Sequence, residues 1–178
     1  MIIIDPRTTF VRLAVTLVCI ALLWPELDRY RAEWLLADAN SRMQQILSGA
    51  SRGDTRLAAD RTLMHAQQAA QLLRGDPRAP LLESFALLLL KRGSDAIIVL
   101  DDAIIASGER PELTLNLGRA RGISGDTDGA NTAFLRTAWV SPAAIGTLPA
   151  AMRGPLLEKV QQLEIELRAG RLAQAPPL

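Results

Sequence analysis

The feature that most limits this chain is its punctuation. From Glu26 onward, Leu- and Ala-rich segments of helix length are each closed by a Gly, Pro or Asp signal. None of them alternates apolar and polar residues with period two. Unbranched Leu and Ala lose little freedom on entering a helix, and aromatic residues supply only 4 % of the chain, so composition also favours helix over strand. A helix with Pro25 and Glu26 in its first turn runs to about Leu47 and is broken by SGASRGD; Asp54 then caps a second that ends near Arg74. Pro80 starts a third, stopped by Lys91-Arg92-Gly93, and Ser94 caps a fourth that ends near Gly108. Pro111-Glu112 opens a fifth, and GISGDTDG separates it from a sixth over about 128–138. Ser141-Pro142 opens a short helical turn. After Gly154-Pro155 a last helix carries Leu156, Val160, Leu163 and Leu167 on one stripe. The expected fold class is all-α, with about seven helices.

The N-terminal region carries a different expectation. Residues 13–24 read LAVTLVCIALLW, without a charge. Counted from Phe10 to Leu27, the stretch has eighteen residues interrupted by Arg12 and Pro25, a marginal span if Arg12 snorkels, since about 20 residues are needed. A cleaved signal peptide fits less well, because the first A-x-A, Ala37-Asp38-Ala39, lies far downstream. A lipoprotein signal fails on Val18, too bulky before Cys19. The expectation is therefore a single transmembrane helix, an uncleaved signal anchor over 1–25. A membrane-proximal helix and linker follow over 26–53, and a helical domain with a C-terminal capping helix fills 54–178. The short N-terminal arm favours N-inside, which places the chain in a bacterial inner membrane, single-pass, with its bulk periplasmic. Cys19 reads as a small buried hydrophobe. Trp24, Tyr30 and Trp34 suit an aromatic belt, unless Trp34 packs on the next helix.

Charge and reactive residues narrow the function classes. A net charge of +1 over 178 residues leaves no electrostatic footprint for nucleic acid. Lys91 and Lys159 are the only lysines among 20 basic residues; the arginines are scattered, which reads as a GC-rich bacterial genome rather than a bidentate binding site. One cysteine and one histidine exclude an intramolecular disulfide, a cysteine zinc site and a multi-histidine centre. The segment GDTDGAN has Asp126 and Asp128 two apart, but Asn131 stands where a calcium loop needs Gly, and Thr137 where it needs Glu. Asp101 and Asp102 diverge by about 100° on a helix and form no acid/base pair. His65 has Arg61 and Ala69 four residues away and no acidic helix neighbour there, so it reads as solvated or packed. No phosphate-binding loop, nucleophile elbow or zinc-protease motif occurs. No enzyme, cofactor, metal or small-molecule substrate is expected.

The hairpins repeat. Leu117-Gly118 is followed by Gly125-Asp126, then Ala130, Phe134 and Pro142. Small Gly118 and Ala130 let two helices approach, Phe134 fills the space beside them, and the Gly-Asp turn reverses the chain. One period of about 34 residues earlier, Ser84, Leu87, Ala96, Leu100 and Ala103 hold the same places. Over about 56–142 the chain resembles the tetratricopeptide repeat, with one good repeat, one fair one and half of another. Thr114 and Arg121 depart from it where the family has Trp and Tyr. The resemblance implies a concave face drawn from the first helix of each hairpin, with Arg78, Leu81, Phe85 and Leu88 beside Leu115 and Arg119 as tentative partner-binding residues. The central LLESFALLLL and AIIVLDDAIIA are apolar nearly all round, either as a sandwiched middle layer or as the floor of a groove.

The expected role is a non-enzymatic, membrane-anchored protein–protein interaction scaffold or assembly factor for a bacterial envelope complex. Its partners are proteins of a membrane or periplasmic complex, with the membrane itself met through residues 10–27. Two alternatives stand beside it: a permanent single-pass accessory subunit of a larger integral complex, and a maturation factor for a periplasmic enzyme such as a dehydrogenase.

Overall fold

A computed structural model describes residues 6–50 and 53–171, without the side chains of 6–11, 13 and 25. Helix α1 spans Pro6–Leu47, α2 Thr55–Leu72, α3 Arg78–Leu89, α4 Gly93–Ser107, α5 Pro111–Ile123, α6 Thr127–Val140 and α7 Ala150–Arg168, with a 3₁₀ helix at Pro142–Thr147 before α7. The described chain is a helical-hairpin array of eight helices, counting the 3₁₀ turn, as its punctuation implies.

Local chemistry accounts for most boundaries. Asp54 caps α2 by accepting from the Arg56 backbone N–H at 2.8 Å, and Asp126 caps α6 by accepting from that of Gly129 at 2.9 Å. Gly108 and Gly125, at φ +82° and +87°, end α4 and α5 in a conformation that L side chains disfavour. The α3–α4 turn departs from expectation. Lys91 takes the left-handed position (φ 61°), and α4 already begins at Gly93, so Ser94 lies inside the helix rather than capping it. Gly93 serves a different purpose: a Cβ there would stand 2.7 Å from the Ala120 carbonyl oxygen, so only glycine lets α4 rest against α5.

Three apolar clusters run through the array. Leu35, Leu36 and Ala39 of α1 meet Ala66 and Ala69 of α2 and Ala79 and Leu82 of α3. Leu87 and Leu88 of α3, Leu100 of α4, and Leu113 and Leu117 of α5 form the central one. Leu115, Phe134, Ile145, Leu148 and Val160 close the C-terminal end. Alanines at 0 % exposure line most helix contacts (Ala39, Ala66, Ala86, Ala96, Ala120, Ala133), and such short side chains let the helices pack closely with few aromatics. The central hairpin is thus a middle layer, although one edge of α3 stays open.

The repeat positions converge as their spacing requires. Ser84, Leu87, Ala96, Leu100 and Ala103 are all buried. A Cβ at Gly118 would overlap the Phe134 ring, which demonstrates the close approach. Thr114 shares a buried hydroxyl–hydroxyl hydrogen bond with Thr137 at 2.8 Å. Neighbouring helices touch in order, α1 and α5 each also touch α3, and α2 and α6 do not touch α4. The odd helices therefore line one side and the even helices the other.

The N-terminal expectation is overturned. No helix among the described residues is long and apolar enough to cross a membrane. The uncharged run over 13–24 would rise about 18 Å as helix, against a hydrocarbon core of about 30 Å. Beyond it stand Glu26, Asp28, Arg29 and Arg31. Nor does a helix start at position 25: α1 continues unbroken through it to Leu47. Cys19 is exposed rather than buried. Trp34 packs against α2, its ring centroid 6.0 Å from that of His65. The last helix begins at Ala150 and carries Pro155 inside its first two turns, and of its expected stripe Val160 is buried while Leu167 is exposed.

Candidate partner-binding groove

On the side lined by odd helices lies a groove of about 480 Å³. Leu36, Met43 and Leu47 of α1 face Leu81, Leu82 and Phe85 of α3 across it, and Glu112 and Asn116 of α5 close its far side. The groove exists because α1 and α5 both touch α3 without touching each other, which leaves the α3 ridge uncovered between them.

One rim is an ion-paired bridge. Arg78 donates from both terminal nitrogens to Glu33 (2.6 and 2.9 Å) and holds Asp76 through Nη2 at 2.6 Å and Nε at 3.1 Å. Its guanidinium keeps the carboxyls of both Glu33 and Asp76 below their ordinary values, and the two carboxylates raise that of Arg78 in turn. Arg78 is therefore spent on its own fold's carboxylates, and with one guanidinium facing two carboxylates the rim keeps a net negative charge. The amides of Asn40 and Asn116 add hydrogen-bonding groups beside an apolar floor of Leu36, Met43, Leu47, Leu81, Leu82 and Phe85.

The six residues expected from sequence separate into two sets. Arg78, Leu81 and Phe85 line the groove. Leu88 and Leu115 are buried, in the central and C-terminal clusters respectively. Arg119 is half-buried, donating to Asn116 Oδ1 at 3.0 Å and to Thr147 Oγ1 of the 3₁₀ turn at 2.6 Å, and burial lowers the pKa of its guanidinium. The α1 half of the lining escaped sequence reasoning, although Leu36, Asn40, Met43 and Leu47 recur at spacings of four, three and four, the signature of one helix face.

A second constellation joins α1 to α2. Asp38 accepts from Arg42 at 2.7 and 3.0 Å and pairs with His65 Nδ1 at 2.8 Å, with Trp34 beside the imidazole. Arg42 first, then His65, hold the Asp38 carboxyl below its usual range. Asp38 lies 27 residues from His65, beyond any search of helix neighbours. The arrangement clips two helices together. Among the described residues no group of three or more His, Cys, Asp and Glu is placed to hold a metal ion. Comparison of the chain with protein-family models, with curated proteins and with solved structures finds no match.

Proposed function

We propose that this chain is a tetratricopeptide-like interaction module, acting as a scaffold or assembly factor rather than as an enzyme, and that the α1/α3/α5 groove holds a segment of a partner protein. The observation that carries the reading is the groove: a trough between α1, α3 and α5 with an apolar floor, with no segment of the described chain covering it. Leu81 and Phe85 offer apolar area to the partner's side chains, and Asn40 and Asn116 offer hydrogen bonds to its backbone. With Arg78 tied to Glu33 and Asp76, capture of a free carboxylate by that side chain has no support, and recognition by apolar side chains is favoured. The envelope setting expected from the sequence rests on a span that α1 does not provide and forms no part of the proposal.

Site-specific photo-crosslinking in the native host tests it. A benzophenone amino acid replacing Phe85 should give a discrete protein adduct. The same probe at Ile98, exposed on α4 away from the groove, should not. Adducts from Ile98 alone, or from neither position, would remove the groove as the partner site.

A further inference from the structure

Only the C-terminal half of α1 belongs to the array. The core begins at Ala32, and every described side chain from Ala14 to Leu27 is exposed. Leu17, Ile20, Trp24, Leu27 and Trp34 are each half or more in solvent, and they follow one another by three, four, three and seven residues. That is the spacing of a heptad seam, in which Arg31 occupies the one intervening core position. At about 100° per residue, the seam lies roughly opposite the face bearing Leu36, Asn40 and Met43, so it is distinct from the groove.

We infer that the N-terminal half of α1 is a self-association element, pairing through Leu17, Ile20, Trp24, Leu27 and Trp34 with the same helix of a second copy of this chain. Area supports a copy as the occupant. Together with the flanking Leu23 and Tyr30, the seam presents on the order of 1,000 Å², against about 800 Å² per partner in a stable standard-size interface. Monomeric proteins seldom leave a contiguous apolar patch of that size uncovered. The same helix already forms such a seam within the molecule, where Ala32, Leu35 and Ala39 pack on α2.

The test is the mass of the full chain in detergent-free buffer, read by size exclusion with light scattering, alongside flotation with phosphatidylcholine vesicles. The expected result is a two-copy mass that the L17E/L27E variant reduces to one copy with an unchanged thermal melt, since neither side chain touches the array. Leu22 is 71 % exposed but lies off the seam, so L22E should keep the two-copy mass. A one-copy mass for the unsubstituted chain would overturn the inference, as would a mass that L17E/L27E leaves unchanged. So would a large assembly that L22E disperses as readily as L17E/L27E, or flotation of single copies with the vesicles.

Discussion

Asp38 shows what a single carboxylate does in this array. Its pKa is lowered in the fold, so its contribution is present above the unfolded carboxylate value, near 3.9, and is lost as pH falls through the lower folded value. Asp38→Asn should cost about 1 kcal/mol near neutrality. The gap between the urea midpoints of the two proteins should narrow as pH falls below the unfolded carboxylate value; a gap that widens on acidification would contradict this origin. Arg119 carries a second residue-scale prediction. The sequence places it on the partner-binding face, but it bridges α5 to the 3₁₀ turn and satisfies the buried Asn116. Arg119→Ala should lower stability by about 1–2 kcal/mol, visible as a lower melting temperature. The Asp54 cap was legible because it acts on backbone two residues away. The pairs Asp38–His65 and Arg119–Thr147 were not, because each joins elements that are adjacent only after folding.

Helices were the most legible elements, since Gly and Pro punctuate every connection after Leu47. The errors fall where one residue admits two uses. Pro25 and Pro155 suit a first helical turn yet lie within α1 and α7, where each removes one backbone N–H donor from the helix. The first hairpin hid for a related reason. Its second helix keeps the repeat positions as Thr62, Ala66 and Ala69, all buried, while the loop before α2 shifts α1 out of the 34-residue register. The closest helix pair gives the prediction at this scale. Gly118→Ala should cost roughly 1–3 kcal/mol, because the new methyl meets the Phe134 ring. Phe134→Leu in the same chain should recover part of that loss, and chemical denaturation of both singles and the double measures the coupling. Strict additivity would place Phe134 elsewhere.

At the scale of the whole molecule, sequence supplied the array and the α3 side of its trough (Arg78, Leu81, Phe85), but not the α1 side. A trough needs α1, α3 and α5 in mutual placement, and that placement is set by packing between helices distant in sequence rather than by any local signal. The order of contacts has a consequence for how the molecule breathes. Each helix is held mainly by its sequence neighbours, with α1–α3, α3–α5 and α5–3₁₀ contacts added on the odd side. Opening need not spread through the array, and amide deuterium uptake should read as a gradient. Backbone amides of α3, α4 and α5, held from both directions, should exchange slowest. Those of α7, which rests only on α6 and the 3₁₀ turn, should exchange early. A single uniform exchange rate from α1 to α7 would mean that the array opens as one block.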